Sequence, residues 1–187
     1  MTNAYKVNVL GISGSLRRDS YNTAALREAV RLAPDNMHIT IADISEIPLY
    51  NEDVYAKGFP AAVESLREQI RSADALLFVT PEYNYSMSGV LKNAIDWVSR
   101  PPQQPFAGKP AALMGASAGR FGTVRAQYHL RQSVVFLDVR LLNRPEVMIG
   151  NAQNVFDRNG ELIEEADREQ IRKLLRALHD WTLLLKK

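Results

Sequence analysis

Three polar segments of the 187-residue chain carry side chains that could hold a small anionic ligand. The first segment reads Gly14-Ser15-Leu16-Arg17-Arg18-Asp19-Ser20-Tyr21-Asn22-Thr23. Its hydroxyl, amide and guanidinium groups can donate to phosphate oxygens, and each hydrogen bond to a charged group contributes roughly 1.5–3 kcal/mol. The segment therefore indicates a phosphate site. The alternative is an ordinary helix cap at Ser20 or Asn22, with the arginines in solvent.

The second and third segments offer a slot for a flat ligand. Thr80-Pro81-Glu82-Tyr83-Asn84-Tyr85-Ser86-Met87-Ser88-Gly89 places two tyrosines around an asparagine, and rigid aromatic side chains suit a planar ring. A turn with solvent-facing tyrosines is the alternative. In Ser117-Ala118-Gly119-Arg120-Phe121-Gly122, the two glycines would let the backbone approach a ligand edge. A phosphate at one end and a planar ring at the other describe flavin mononucleotide (FMN).

The sequence disfavours ATP hydrolysis, tight binding of NAD by the usual route, cysteine chemistry and metal binding. Gly11-Ile12-Ser13-Gly14 lacks the third glycine of the dinucleotide fingerprint, and no Gly-Lys-Ser/Thr element follows it. The chain has no cysteine, which excludes disulfides, thiolate metal sites and cysteine nucleophiles. Its three histidines, His38, His129 and His179, lack metal-ligand spacing, so we expect no metal.

The composition also limits the partners and the location. The sequence has 23 basic and 21 acidic residues, a net charge of +2, and no broad basic field that would indicate a nucleic-acid partner. Apolar runs are too short to span a membrane, and no targeting segment is visible. We therefore expect a cytoplasmic protein that contacts neither nucleic acid nor membrane.

Apolar runs alternate with amphipathic stretches along the chain, and this alternation predicts the elements that position the three segments. We expect strands at 7–12, 37–42, 75–79 and 110–116, and a fifth made of 139–142 and 147–149 with a bend at Pro145. Helices are expected at 22–32, 61–72, 89–99, 121–136 and 164–186, and a surface loop at 46–53.

This order predicts one α/β domain over residues 1–187, with a doubly wound five-stranded parallel sheet and helices on both faces. Ligands of such sheets lie beyond the carboxyl ends of the strands, where the three segments fall.

Four motifs resemble those of a known family. Gly-Ser-x-Arg-x-x-Ser-x-Asn is met at 14–22, and Pro-Glu-Tyr-Asn-x-Ser at 81–86. Leu-Lys-Asn-Ala-x-Asp-Trp is met at 91–97, and Gly-x-Ser-x-Gly-x-x-Gly at 115–122. Over about residues 6 to 150 the chain resembles the NADPH-dependent FMN reductases of the flavodoxin-like fold, and most closely the bacterial quinone and chromate reductases.

The resemblance implies an FMN cofactor, NADPH or NADH as electron donor, and quinones or other acceptors such as chromate. It implies that the cofactor phosphate contacts Ser15, Leu16, Arg17, Ser20, Asn22 and Thr23, with Tyr21 beside them. The isoalloxazine ring would be lined by Pro81, Glu82, Tyr83, Asn84 and Tyr85, mostly through backbone groups. Its pyrimidine edge would be approached by Ser117, Ala118 and Gly119.

The implied reaction is a hydride transfer from NAD(P)H through the flavin to the acceptor, which requires no side chain as acid or base. Backbone N–H groups at a helix opening near Gly119 would stabilise negative charge on the reduced ring. We further expect Tyr85 to border the open face of the ring and to shape access of the acceptor.

The resemblance also implies a homo-oligomer, either a dimer or a tetramer. Arg125 and Tyr128 share one helix face, and Glu146 follows a predicted strand, so these three residues are candidates for a subunit contact near the flavin. A solvated helix surface is the alternative.

Two other functions remain open at this stage. A flavodoxin-type electron carrier would share the fold, although such carriers are typically strongly acidic and this chain is not. A flavin-free enzyme could use the same pocket for another phosphorylated metabolite.

Overall fold

Six strands form one parallel sheet in the computed structural model, which describes residues 5–186. They are β1 (Val7–Ser13), β2 (Met37–Ala42), β3 (Ala75–Val79), β4 (Pro110–Ala116), β5 (Arg140–Leu141) and β6 (Val147–Ile149). The order is β2-β1-β3-β4-β5, and β6 also pairs with β4. This order confirms the predicted doubly wound, flavodoxin-like sheet.

The predicted fifth strand is two strands. β5 pairs with Pro110 and Ala111 at the amino end of β4, whereas β6 pairs with Met114, Gly115 and Ala116 at its carboxyl end. After Leu142, whose amide still donates to the Ala111 carbonyl at 2.7 Å, residues 143–146 leave the sheet. Pro145 has no N–H group to donate to a ladder, so the expected bend becomes a break and the sheet has six strands rather than five.

Seven helices accompany the sheet within residues 5–186. They are α1 (Tyr21–Arg31), α2 (Glu52–Tyr55), α3 (Ala61–Ser72), α4 (Gly89–Val98), α5 (Val124–Ser133), α6 (Ala152–Val155) and α7 (Glu165–Leu185). The five predicted helices are present within a few residues of their expected bounds. The end of the expected loop at 46–53 enters α2, and α5 begins three residues later than predicted.

Helices cover both faces of the sheet, as predicted. On one face α1 and α7 pack their apolar stripes, including Leu26 and Leu178, against Val9 and Leu77. On the other face α3 and α4 bury Leu66 and Trp97 in the cluster that contains Phe78. β3 is completely buried because it lies between β1 and β4 and is covered on both sides.

The parallel strands β1, β3 and β4 are neighbours, so the loops that follow them meet at one edge of the sheet. Their packing is tight at Gly115, where a Cβ atom would lie 2.3 Å from both the Thr80 carbonyl oxygen and the Thr123 Oγ1 atom. Only glycine allows this approach. Ser88, whose Oγ accepts from the Leu91 amide at 3.2 Å, begins α4 at the same edge.

No helix in the described part of the chain is long and apolar enough to cross a membrane. The cytoplasmic location stays a prediction.

Candidate active site

A cavity of about 260 Å³ lies where the three loops meet. It is lined by Ser15, Arg17, Ser20, Tyr21, Asn22, Pro81, Glu82, Tyr83, Ala116, Ser117 and Ala118. With the exception of Ala116, all of these residues belong to the predicted site. The three segments that the sequence singles out therefore form one site.

The remaining predicted residues lie beside this cavity. Leu16 and Thr23 line a neighbouring cavity of about 420 Å³ toward the end of β2, which shares Ser15 and Arg17 with the first. Asn84, Tyr85 and Gly119 line neither cavity. Thr23 is also hydrogen bonded, through Oγ1, to the Ser13 hydroxyl at 2.9 Å.

The first loop ends in a helix cap. The Ser20 Oγ accepts from the amides of Asn22 and Thr23 at 3.2 and 3.3 Å, so the cap predicted as an alternative is present. Ser20 also lines the cavity, and the positive end of α1 therefore faces the ligand site. The exposed Arg17 guanidinium lies 5.4 Å from the Tyr21 ring centroid. An anion held here would meet a helix N-terminus and one cation.

Asn22 links the first loop to the third. Its Nδ2 donates to the Ala116 carbonyl and its Oδ1 accepts from the Ala116 amide, both at 2.9 Å, and the residue is only 4% exposed. This pair of bonds joins the start of α1 to the end of β4. The prediction of Asn22 as a phosphate donor did not include this link. Because the Asn22 side chain is bound to Ala116, the hydroxyl groups of Ser15 and Ser20 are better placed to donate to a phosphate.

Glu82 links the second loop to α5. Its carboxylate accepts from the amides of Arg125 and Ala126 at 2.9 and 3.1 Å and pairs with the Arg125 guanidinium at 3.0 Å. The residue before the helix, Thr123, makes no side-chain cap, so Glu82 stabilises the N-terminus of α5 instead. Its side chain is 11% exposed and bound on α5, which leaves its backbone groups as the ones that could contact a ring.

The tyrosine pair lies in a tight turn. The amides and carbonyls of Tyr83 and Ser86 pair at 2.9 Å in both directions, and Asn84 and Tyr85 between them have φ values of 49° and 66°. Such a turn favours glycine at its second central position. Tyr85 occupies that position and therefore has a positive φ, which is unfavourable for a tyrosine. The Arg125 guanidinium stacks on the Tyr85 ring, 4.0 Å from its centroid. This contact fixes the ring direction.

Sequence reasoning did not find the contacts between α5 and the tyrosine turn. Besides Arg125, His129 contributes a hydrogen bond of 3.1 Å between its Nδ1 and the Ser86 hydroxyl. The available signal is the four-residue spacing of Arg125 and His129, which places both on one helix face. That spacing does not identify the partner loop.

The predicted helix opening near Gly119 is corrected by the structure. α5 begins at Val124, because Gly122 adopts a φ of +59° and separates a turn at 119–122 from the helix. The Gly119 amide donates to the Ser117 hydroxyl at 3.1 Å, and the first α5 amides donate to Glu82. The start of α5 is therefore capped by a carboxylate, and the amides of Arg125 and Ala126 are already bound to Glu82 rather than free to stabilise charge on a ring.

The residues present fit FMN. The phosphate end has the α1 N-terminus, hydroxyl groups and Arg17, and the ring end has Pro81, Tyr83 and the small residue Ala118. No cluster of histidine or carboxylate side chains within residues 5–186 could hold a metal ion. A flavodoxin-like sheet with a phosphate end and a ring end at its carboxyl edge is typical of an FMN-binding protein.

The comparisons with known proteins agree with this class. Residues 7–154 match the NADPH-dependent FMN reductase family, and the chain belongs to that family. It is 69% identical over 180 residues to an NAD(P)H-dependent FMN reductase of Pseudomonas aeruginosa, covering 96% of this chain and 97% of that protein. It is 47% identical to a quinone reductase of Escherichia coli K12, covering 94% and 95%.

Among solved structures, the chain is similar to the flavoenzyme NAD(P)H:(acceptor) oxidoreductase FerB of Paracoccus denitrificans. The TM-score is 0.87 at 33% identity, covering 95% of this chain and 98% of that one.

The link made by Asn22 can be tested with an isosteric change. We expect Asn22→Asp to lower the free energy of unfolding by about 1–3 kcal/mol and to weaken FMN binding, because the Ala116 carbonyl loses its donor and a carboxylate is buried. Urea unfolding and FMN titration measure the two effects. Asn154→Asp, an exposed position on α6, should change neither. Identical results for the two variants would contradict the proposed link.

Proposed function

We propose that this protein is an FMN-dependent NAD(P)H oxidoreductase that passes a hydride from NADPH or NADH through bound FMN to quinones, with chromate as a further acceptor. The observation that carries the proposal is the cavity at the sheet edge, which has a phosphate end and a ring end. Membership of the NADPH-dependent FMN reductase family supports the same activity. Bound FMN would supply the two-electron chemistry, and the chain supplies binding and orientation.

Each loop has a distinct part in the proposed site. We assign the phosphate end to Ser15, Leu16, Arg17, Ser20, Tyr21, Asn22 and Thr23, the ring face to Pro81, Glu82, Tyr83, Asn84 and Tyr85, and the pyrimidine edge to Ser117, Ala118 and Gly119. Arg17 supports this assignment because its guanidinium has no carboxylate partner in the described residues. Residues 1–187 act as one domain in this proposal.

No side chain of the cavity is proposed as a general acid or base. Among the described residues that line it, the one carboxylate, Glu82, is bound to Arg125 and the α5 amides, and none is a histidine. The proposed work of the residues is to hold the ring, exclude bulk water and leave one face open.

The absorbance spectrum of the purified protein tests the proposed function. We expect a yellow protein that bleaches when NADPH or NADH is added under nitrogen and regains its colour with benzoquinone. A yellow protein that neither nucleotide bleaches would instead indicate a flavodoxin-type electron carrier. A protein that stays colourless after incubation with FMN would overturn the assignment of the site and favour another phosphorylated ligand.

Tyr85 is proposed to shape access of the acceptor. Its ring is 66% exposed and is held by Arg125 rather than by the core. We expect Tyr85→Leu and Arg125→Met to change the KM for quinones in the same direction by roughly 2- to 30-fold, since a cation–π contact contributes about 0.5–2 kcal/mol. Steady-state kinetics with several quinones measure this effect.

The control for this test is Phe136→Leu, which removes an aromatic ring that is 96% exposed and lies outside the cavity. Turnover of every quinone at the wild-type KM by Tyr85→Leu would rule out the acceptor role.

We propose that the protein forms a homo-oligomer, a dimer or a tetramer, through a contact that includes Arg125, Tyr128 and Glu146. Tyr128 and Glu146 are exposed, which supports the proposal, whereas Arg125 is partly occupied by Glu82. Glu146→Ala should shift the sedimentation mass toward smaller species, while Glu46→Ala, an exposed carboxylate elsewhere, should not. Unchanged mass and kinetics in Glu146→Ala would argue against this contact.

A further inference from the structure

Four arginines surround a further cavity beside the candidate flavin site, which we call the second cavity, and Arg17, Arg18 and Arg27 also line the cavity of about 420 Å³ described above. The second cavity, of about 350 Å³, lies between the loop that precedes α1 and the turn at 157–160. Arg17, Arg18, Arg27 and Arg158 line it, and we refer to them as the arginine cluster. Its volume falls at the lower end of the range for small-molecule sites.

The arginine cluster has no carboxylate partner among the described residues. Within residues 5–186 none of its four guanidinium groups lies within 4.0 Å of a carboxylate oxygen. By contrast, the nearby Arg31, Arg168, Arg172 and Arg176 are all paired with glutamates. Four like charges around one cavity repel one another, so a bound anion would stabilise the arrangement.

Two carboxylates also line this cavity, and they only partly offset the positive charge. Asp157 is bound within its own turn, where its Oδ1 accepts from the amides of Asn159 and Glu161 at 2.9 and 2.8 Å. Asp19 is exposed. An excess of two positive charges therefore remains, and the carboxylates could accept hydrogen bonds from a ligand that also carries hydroxyl groups.

The second cavity is contiguous with the flavin site at its phosphate end. Arg17, Ser20 and Tyr21 line both cavities, and the Tyr21 ring packs against Phe156 at a centroid distance of 5.4 Å. A long ligand with one end over the flavin ring and the rest directed toward the cofactor phosphate would place its far half in the second cavity. An electron donor made of two nucleotides has this shape.

We propose that Arg18, Arg27 and Arg158 form a subsite for the 2′-phosphate on the adenosine half of NADPH. In the proposed site the FMN phosphate is bound by Arg17 and the α1 N-terminus. The guanidinium groups of Arg18, Arg27 and Arg158 then remain without an anion. A guanidinium fork matches phosphate oxygens in pairs, and arginine is the side chain that accommodates a 2′-phosphate in other dinucleotide sites. This subsite rests on the proposed function and would favour NADPH over NADH.

The test uses Arg27→Ala, Arg158→Ala and the double variant, all outside the loops assigned to FMN. We expect kcat/KM for NADPH with benzoquinone to fall roughly 10- to 100-fold in the double variant, as expected for lost hydrogen bonds to a charged group. For NADH it should change by about twofold or less, and the FMN content should stay at the wild-type level. As a control, Arg176→Ala removes one exposed charge from α7 and should leave kcat/KM unchanged for both NADPH and NADH.

A binding measurement separates this subsite from the activity. Calorimetric titration of the holoprotein with adenosine 2′,5′-bisphosphate should show binding that the double variant loses, whereas adenosine 5′-monophosphate and inorganic phosphate should bind more weakly. Equal binding of inorganic phosphate would show an unspecific anion site and would overturn the proposal.

Two kinetic outcomes and a change in cofactor content would also overturn the subsite. The first is an unchanged ratio of NADPH to NADH, the second is an equal fall for both nucleotides, and the third is loss of FMN from the variants. A yellow wild-type protein that oxidises neither nucleotide would instead contradict the proposed function, and the titration would still decide whether the subsite exists.

Discussion

The candidate site depends on the two hydrogen bonds between the Asn22 side chain and the backbone of Ala116. The phosphate end of the site follows β1 and the pyrimidine edge follows β4, and β3 separates these strands in the sheet. A buried amide that both donates and accepts joins the two loops across that distance. Because each bond is buried, breaking either would leave a backbone group unsatisfied, which makes the spacing of the two ligand ends well defined.

Glu82 does for the second loop what Asn22 does for the first. Its carboxylate holds the N-terminus of α5, and Arg125 extends that contact to the Tyr85 ring. The polar side chains with the best-defined partners therefore hold loops together, and in the proposed site most contacts with the ligand would be made by backbone groups, hydroxyls and Arg17. This division suits a reaction whose chemistry belongs to the cofactor, since the protein has to position a ring and need not transfer a proton.

Local patterns were sufficient to predict the sheet and the position of the site, because hydrophobic periodicity marks strands and helices and ligands follow strand ends. What they missed depends on distant partners. Nothing near Glu82 in the sequence indicates that it caps a helix that begins 42 residues later, and nothing near Asn22 indicates Ala116. The late start of α5 follows from a positive φ at Gly122, which one glycine in a small-residue segment does not reveal. Likewise, Pro145 indicated a bend, but only the pairing partners on β4 show a break.

The net charge of +2 conceals an uneven distribution. On α3 and α7, Arg71, Arg168, Arg172 and Arg176, which are half-buried or exposed, are paired with glutamates at 2.6–3.7 Å, so these surfaces are nearly neutral. Arg17 and Arg18, near the start of α1, have no such partners within residues 5–186 and lie beside the candidate site. Their field is therefore local and directed at the place where anionic ligands would enter, and it persists over about 8 Å at physiological ionic strength. An electron carrier that docks through an acidic surface would need the opposite sign at this entrance, so the position of the unpaired charges, more than their total, favours an enzyme with small anionic substrates.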